Sequence, residues 1–264
     1  MLGFIGTGNM ASAIIKGVIS SSFLEGKEIC IYDKDTEKAK SLSDIYGVKV
    51  CESEKEVCEK AEEIILSVKP NVLESVFSKV KETLKEKNPL IISIAAGKSL
   101  SFLKENAGYE ARIIRVMPNI NAVVLEAVSA YCPNENAKEE DVVFAEKLLS
   151  SFGKAVKIEE DKFSVFSAIG GCSPAFSYMY IDALARAGVK NGLPKNIALD
   201  VAAQAVFGSA KMVMESTAHP YELVDRVCSP GGTTIEGVAS LQKDGFEAAV
   251  SAAVEAAINK DKRM

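Results

Sequence analysis

Two short segments of this sequence, one near each end, combine small and hydroxylated residues in patterns that could bind negatively charged groups. The C-terminal segment is Ser229-Pro230-Gly231-Gly232-Thr233-Thr234, in which proline and glycine disfavour regular structure and leave backbone N–H groups uncovered. The apolar run that follows predicts a helix, with Thr233 as its N-cap and Glu236 completing a capping box. Such a helix start favours a carboxylate or phosphate ligand, and an ordinary helix start is the alternative interpretation.

The N-terminal segment, Gly6-Thr7-Gly8-Asn9-Met10-Ala11, has the G-x-G-x-x-A spacing of a dinucleotide-binding turn. Gly6 permits a tight turn, Gly8 lets the backbone approach a pyrophosphate, and Ala11 lets a helix pack closely on a strand. The apolar run Leu2–Ile5 precedes the motif, and apolar residues at helical spacing follow it. The pattern therefore predicts strand, turn and helix from the first residues onward, and a structural glycine turn is the alternative.

The end of the second predicted strand, Glu28–Asp33, carries two residues that favour different coenzymes. Asp33 could accept hydrogen bonds from the adenosine ribose and would repel a 2′-phosphate. Lys34 follows directly and could bind that phosphate. An exposed turn would also explain both residues, so the sequence leaves NADH and NADPH open.

Alternating apolar strands and helices continue to about residue 158 and predict an α/β, doubly wound Rossmann-type domain with a parallel sheet covered on both faces. Ligands of such sheets bind beyond the carboxyl ends of the strands. Three of these ends carry unusual segments, namely Ser67-Val68-Lys69-Pro70-Asn71, Ala95-Ala96-Gly97 and Met117-Pro118-Asn119. Each could be only a turn; together they predict one crevice.

From about Asp161 onward the strand pattern stops and only helices are predicted. We therefore expect a dinucleotide-binding domain over residues 1–160 and an all-helical domain over residues 161–264. Several of these helices are rich in alanine and glycine with little polar face, and such helices must be buried. The second domain is expected to bind substrate and to form a homo-oligomer, at least a dimer, with residues 196–215 in the interface.

Composition narrows the functional classes. The chain has 264 residues, 48% apolar and 25% charged, which favours two globular domains. A net charge of −5 without a basic block argues against nucleic acid as a partner. No apolar run is expected to span a membrane, and no signal peptide is recognisable. Six cysteines without a C-x-x-C motif indicate a reducing cytoplasm, and one histidine, His219, makes a catalytic metal unexpected.

The sequence resembles pyrroline-5-carboxylate reductase over essentially its whole length. The matching segments are Gly3–Ala11, Ser67–Pro70, Ser93–Gly97, Arg115–Asn119, Gly188-Val189 with Gly192–Pro194, and His219-Pro220 followed by Ser229–Thr234. The last segment is the family's signature, whereas the first is shared with many dehydrogenases.

The resemblance implies that a cyclic imine, 1-pyrroline-5-carboxylate, is reduced to L-proline with NADPH or NADH. It implies that Ile5 and the turn from Gly6 to Ala11 hold the pyrophosphate, and that Ser67, Val68, Lys69, Pro70, Ala95 and Ala96 line the nicotinamide ribose. It also implies that Ser229, Gly231, Gly232 and Thr233 hold the substrate carboxylate, with Thr234 reaching the ring nitrogen. The coenzyme supplies the difficult chemistry in such a reaction, and the protein supplies position.

The chain departs from the family pattern at residues 120–121 and 125–127, at residues 170–176 and at Glu54. Ile120-Asn121 and Leu125-Glu126-Ala127 stand where the family has Thr-Pro and Gly-Glu-Gly, and Gly170–Phe176 replaces its Ser-Gly-Ser-Gly-Pro-Ala-Tyr. Glu54 stands where relatives often carry asparagine near the adenosine ribose. Together with Asp33, it favours NADH over NADPH.

Two other functions remain open from the sequence. A hydroxyacid dehydrogenase of the same two-part plan resembles this chain only in its first domain, and Gly170–Tyr178 lacks the lysine that such enzymes carry at a glycine-rich helix start. A nucleotide-binding sensor without catalysis would fit the departures near residues 120–127 and 170–176. His219 is expected to be a surface or capping residue, and Cys172 a packing residue.

Overall fold

The computed structural model describes residues 1–263 and contains two compact units. The first comprises residues 1–171 and the chain from Ile258 onward; the second comprises residues 172–257. The predicted Rossmann-type first half and helical second half are both confirmed.

The first unit is built on an eight-stranded sheet in the order β3-β2-β1-β4-β5-β6-β7-β8. The strands are β1 (Leu2–Ile5), β2 (Ile29–Tyr32), β3 (Lys49–Val50), β4 (Glu63–Leu66), β5 (Leu90–Ser93), β6 (Ile113–Met117), β7 (Ala127–Pro133) and β8 (Gly153–Lys157). The helices are α1 (Asn9–Ser20), α2 (Thr36–Tyr46), α3 (Glu54–Lys60), α4 (Leu73–Lys87), α5 (Leu100–Ala107), α6 (Glu139–Ser150) and α7 (Phe163–Phe166).

The central strands are apolar along their length because helices cover the sheet on both faces. Phe4 of β1 packs with α1 residues such as Ile14 in one buried cluster, whereas the next residue, Ile5, belongs to a second cluster with Phe77 of α4. Alternate side chains of one strand therefore enter opposite cores. Gly3 allows α3 to approach β1, since a Cβ atom there would lie 2.6 Å from Val57.

The prediction of an all-parallel sheet is wrong at its far edge. Strand β7 runs antiparallel to β6, with Val116 opposite Tyr131, and β8 is parallel to β7. The connection over residues 118–126 is too short for the crossover that a parallel neighbour needs. A 3₁₀ turn, Ile120–Val124, reverses the chain and ends at Leu125 with a left-handed φ of 63°.

Two elements of this unit were not predicted. Strand β3 has only two residues, and both are exposed, so it carries no apolar signal. Helix α3 is short and acidic, and it is started by Ser53, whose hydroxyl accepts a hydrogen bond from the Glu56 N–H. Neither length gives a periodicity that can be read from sequence.

The second unit contains α8 (Ser173–Lys190), α9 (Lys195–Glu215), α10 (Pro220–Val227), α11 (Thr233–Lys243) and most of α12 (Phe246–Asp261). A π-helical segment, Ser167–Cys172, precedes α8. Helices α8 and α9 pack through Ala185, Ala198 and Ala202, which form a small buried cluster.

Most apolar side chains of α9 are exposed in the single chain, among them Phe207 and Met214. Contrary to the sequence expectation, α9 is long and apolar enough to cross a membrane by length and composition alone. Such a helix is weak support for a membrane span, because an apolar helix that pairs with another chain has the same composition.

Candidate functional site

The turn between β1 and α1 is shaped by two glycines with different roles. Gly6 has φ of +99°, and a Cβ atom there would lie 2.9 Å from the backbone of Ser67 at the end of β4. Only glycine therefore fits this position. Gly8 is the N-cap of α1 with an extended backbone that any residue adopts, and an added Cβ atom would meet nothing within 4 Å.

The start of α1 at Gly8 is open and uncapped. No side chain caps α1, and the backbone N–H groups of Asn9, Met10 and Ala11 form no hydrogen bond within residues 1–263. The uncovered N–H groups carry the positive end of the helix dipole. An anion over Gly8 would complete this helix start without displacing any side chain.

Two of the three predicted strand-end segments, those after β4 and β5, lie beside the glycine turn that follows β1. Ile5, Leu66 and Ser93 are in register across β1, β4 and β5, so the segments that begin at Gly6, Ser67 and Ile94 leave the same edge of the sheet. This edge is where open α/β sheets bind ligands. Ser67, Ala95 and their neighbours therefore lie in one region of the structure.

The Ser67 hydroxyl forms hydrogen bonds with backbone groups of the same chain. It donates to the carbonyl oxygens of Gly6 at 2.7 Å and Ile5 at 3.2 Å, which ties the end of β4 to the glycine turn. Lys69 is exposed, while Val68 and Pro70 are half-buried. Ala95 is buried and Ala96 half-buried, so these two offer backbone more than side chain to a ligand.

Asn119, just beyond β6, is buried, and its side chain forms hydrogen bonds that stabilise the fold. Its side-chain amide donates to the carbonyl of Gly170 at 2.9 Å, and its oxygen accepts from the Val128 N–H at 3.4 Å. The residue thereby joins the end of β6 to the π-helical segment. The strand-end position signalled that Asn119 is special, but its partner Gly170 could not be read from the sequence.

The carboxylate of Asp33 is bound by three donors of its own chain. One oxygen accepts from the Thr7 N–H at 2.6 Å and the Thr7 hydroxyl at 2.9 Å, and the other accepts from the Asp35 N–H at 3.0 Å. Burial would raise the pKa of Asp33, but the donors on Asp35 and Thr7 outweigh it, and the pKa is lowered. Lys34, beside it, is exposed.

In the second unit, Ser229–Gly232 form a type II β-turn. The Gly232 N–H donates to the Ser229 carbonyl at 3.0 Å, Pro230 occupies the second position, and Gly231 has φ of +66° at the third. A Cβ atom on Gly232 would lie 2.3 Å from the Ser229 hydroxyl oxygen, so a larger residue there would displace the Ser229 side chain.

The predicted N-cap of the following helix is wrong. Gly232, with φ of −82° and ψ of 171°, is the N-cap, and Thr233 is the first helical residue. The turn that closes on Gly232 leaves Gly232 extended, so the helix begins one residue earlier than the Thr233–Glu236 capping box required. As a result α11 starts without a capping side chain, and Thr233 and Thr234 are exposed.

This uncapped helix start suits a carboxylate. The first N–H groups of an α-helix have no intrahelical acceptor, and their positive potential favours an anion. The hydroxyls of Thr233 and Thr234 stand beside them on the first turn. His219, by contrast, is the N-cap of α10 and accepts a hydrogen bond from the Tyr221 N–H at 3.2 Å, as its predicted capping role implied.

Two protein-family models match parts of the chain. A model for pyrroline-5-carboxylate reductase dimerisation matches residues 160–264, and a model for the coenzyme F420-dependent NADP oxidoreductases matches residues 1–97. The chain is 40% identical over 263 residues to the pyrroline-5-carboxylate reductase of Escherichia coli K12, covering 100% of this chain and 97% of that protein.

Solved structures of pyrroline-5-carboxylate reductases are also similar to this chain. A pyrroline carboxylate reductase from Plasmodium falciparum with NADP bound has a TM-score of 0.89 at 33% identity, covering 99% of this chain and 97% of its own. The 1-pyrroline-5-carboxylate reductase of Streptococcus pyogenes has a TM-score of 0.89 at 36% identity, covering 100% and 98%. Full-length similarity at this level is sufficient to place the protein: the chain belongs to the pyrroline-5-carboxylate reductase family.

Proposed function

We propose that this protein reduces the C=N bond of 1-pyrroline-5-carboxylate with NADPH or NADH to give L-proline. The observation that carries the proposal is the uncapped start of α11 after the Ser229–Gly232 turn, on a chain similar over its full length to named reductases of this substrate. The substrate has a carboxylate next to its imine. An uncapped helix start provides a site for that carboxylate.

The coenzyme is assigned to the first unit. The turn Gly6–Ala11 would hold the pyrophosphate over Gly8, where the structure leaves open space. Ile5 and the segments Ser67–Pro70 and Ala95-Ala96 leave the same sheet edge and would line the nicotinamide ribose. The reduced nicotinamide supplies the hydride for the imine carbon.

The substrate is assigned to the turn and first residues of α11. The N–H groups of Thr233 and its neighbours would hold the carboxylate, with Ser229, Gly231 and Gly232 shaping the turn around it. The Thr234 hydroxyl would hydrogen-bond the ring nitrogen and orient it as it becomes an amine. A threonine hydroxyl is too weak an acid to protonate the imine alone, so its role is positioning and proton relay.

The second half is also proposed to join two copies of the chain. The match of residues 160–264 to a dimerisation family supports a homo-oligomer. The exposed apolar side chains of α9 are the surface that a dimer would cover, and we propose residues 196–215 as the interface. We retain 1–160 and 161–264 as the functional division of the chain and a cytoplasmic location as the expected one.

The experiment is a coupled measurement of coenzyme oxidation and product. Purified protein is mixed with NADPH or NADH and 1-pyrroline-5-carboxylate, the loss of reduced coenzyme is followed by absorbance, and proline is quantified. We expect one proline per coenzyme oxidised and no turnover with 2-hydroxyacids and oxidised coenzyme. Turnover of hydroxyacids alone would assign the chain to the dehydrogenases, and coenzyme binding without turnover of either substrate would indicate a sensor.

A further inference from the structure

An acidic residue at the end of the second strand is conventionally interpreted as a ribose acceptor that selects NADH. The structure gives Asp33 a different set of partners. Its two oxygens together accept the Thr7 N–H, the Thr7 hydroxyl and the Asp35 N–H, at 2.6–3.0 Å. Thr7 is buried and lies within the glycine turn, so the carboxylate is directed back toward the turn.

These bonds fix the middle residue of the turn. Thr7 lies between Gly6, whose φ of +99° sets the bend, and Gly8, whose backbone borders the open space. The Gly6 N–H donates to the carbonyl of Tyr32 at 2.8 Å, so the end of β2 contacts the turn through both backbone and side chain. Charge-assisted hydrogen bonds of this kind are short and strong.

Glu54, the second acidic residue that would disfavour a 2′-phosphate, also has a partner within the chain. Glu54, at the start of α3, accepts a hydrogen bond of 2.7 Å from the ammonium group of Lys79 on α4, and the Glu54 side chain is only 12% exposed. The opposite charge of Lys79 compensates that of Glu54. Lys34, in contrast, is exposed and forms no salt bridge within residues 1–263, although Lys38 nearby pairs with Asp35.

We infer that Asp33 is a positioning residue that holds the pyrophosphate-binding turn for NADH and NADPH alike, and that Lys34 gives the chain a preference for NADPH. The inference rests on the proposed coenzyme site but not on the imine as substrate. It reverses the preference for NADH that Asp33 and Glu54 suggest when they are considered by residue type alone.

Direct binding separates the two roles of Asp33. Dissociation constants for NADH, NADPH, 5′-ADP and adenosine 2′,5′-bisphosphate are measured by calorimetry on the parent and on Asp33→Ala and Asp33→Asn. We expect Asp33→Ala to weaken NADH, NADPH and 5′-ADP by a common factor of about ten, because all three ligands use the turn. Asp33→Asn keeps an acceptor for Thr7 and is expected to recover most of that loss.

A second set of variants tests selectivity. The parent is expected to bind NADPH at least about ten times more tightly than NADH, and Lys34→Met to remove most of that difference while leaving 5′-ADP unchanged. Lys40→Met, which removes an exposed charge from α2, is the matched control and should change neither ratio. Thr7→Val in the Asp33→Ala background should add little, because Asp33→Ala has already removed the acceptor of the one hydrogen bond that Thr7→Val removes, that of the Thr7 hydroxyl.

Opposite outcomes would overturn the inference. If Asp33→Ala weakens NADH but tightens NADPH, Asp33 is a ribose acceptor, and if Lys34→Met leaves the NADPH-to-NADH ratio unchanged, Lys34 does not read the 2′-phosphate. Equal thermal melts of the parent, Asp33→Ala and Asp33→Asn exclude misfolding as the cause of any change in binding. A parent that binds none of the four ligands would refute the coenzyme site itself, whereas binding without imine turnover would refute only the proposed reaction.

Discussion

The guanidinium of Arg115 donates a hydrogen bond of 2.8 Å to Glu160 and lies 4.3 Å from the ring centroid of Phe163. The same Glu160 oxygen accepts the Leu100 N–H at 2.7 Å, at the first residue of α5. One carboxylate thus ties the sheet, α5 and the segment before α7 together. The Arg115 side chain is only 13% exposed, so removal of its partner would leave a poorly solvated charge.

Glu160→Ala is therefore expected to lower the free energy of unfolding by about 1–3 kcal/mol, between the values typical of exposed and buried pairs. Asp161→Asn is the control, because its pair with Lys162 is exposed on both sides and is expected to contribute almost nothing. Thermal melts of the two variants give the comparison. Equal melting temperatures would mean that the Arg115–Glu160 pair is no more important than a surface pair.

The open space over Gly8 predicts a variant that folds but does not bind coenzyme. Gly8→Val places a branched side chain where nothing within 4 Å of its Cβ atom opposes it, on a backbone that valine adopts readily. The melting temperature should stay near that of the parent, while binding of NADPH and NADH falls below detection. Calorimetry tests the loss of coenzyme binding, and thermal melts on the same preparation test the unchanged stability.

Gly6→Val is the contrasting variant. Its φ of +99° and the 2.9 Å contact with Ser67 predict a loss of stability as well as of binding. If Gly8→Val binds NADPH like the parent, the dinucleotide site lies elsewhere.

The exposed face of α9 predicts the assembly. Phe207 is 58% exposed in the single chain, and Met214, seven residues on, lies on the same face of the helix. Light scattering should give at least a dimer for the parent and a smaller species for Phe207→Glu. Ile45→Glu, which changes an equally exposed apolar residue on α2 of the first unit, should leave the mass unchanged. A stable parent monomer at micromolar concentration would contradict the proposal.

The cysteines predict a simple labelling pattern. Burial raises the pKa of the Cys30 and Cys58 thiols to about 12, and it also raises the pKa of Cys51 and Cys132. At pH 8 a thiol of pKa 12 is ionised only to about one part in ten thousand, and the thiolate is the reactive form. A thiol-specific reagent should modify at most two of the six cysteines in the native protein, Cys172 and Cys228, and all six after denaturation. Rapid labelling of Cys30 would contradict the packed β2–α3 region.

The sequence predicted most of the fold because its strong periodicities are local. Apolar spacing predicts a helix over Leu73–Lys85 and a strand over Leu90–Ala95; the structure has the same starts, with ends at Lys87 and Ser93. The antiparallel strand β7 could not, since its direction depends on the length of the 118–126 connection and not on its own side chains. The two-residue β3 is set by pairing with β2, which lies nineteen residues earlier.

Within the candidate site, too, some features could be predicted from the sequence and others could not. The glycines at 6, 8, 231 and 232 could be assigned roles because glycine limits the backbone in a known way. The partners of Asp33 could not, because residue type does not reveal whether a carboxylate faces a ligand or the adjacent turn. The N-cap at Gly232 was missed for a related reason: threonine is a common cap, but the preceding β-turn, closed by the hydrogen bond from the Gly232 N–H to the Ser229 carbonyl, decides where the helix begins.

The last prediction concerns Thr234. Because Gly232 and not a threonine caps α11, the Thr234 hydroxyl has no structural role at the helix start, and Thr234→Ala should leave the melting temperature unchanged. If the hydroxyl bonds the ring nitrogen of the imine, its loss should cost roughly 1.5–3 kcal/mol, or about ten- to a hundred-fold in kcat/KM.

Thr234→Ser restores the hydroxyl and should restore most of kcat/KM, which separates a lost hydrogen bond from a lost methyl contact. NADPH binding should be equal in parent, Thr234→Ala and Thr234→Ser, since the coenzyme is assigned to the first unit. A helix start with no ligand makes the opposite forecast, namely identical kinetics in all three proteins. An unchanged kcat/KM in Thr234→Ala would therefore remove the positioning role of Thr234, and it would leave the backbone N–H groups of α11 as the remaining support for a carboxylate site there.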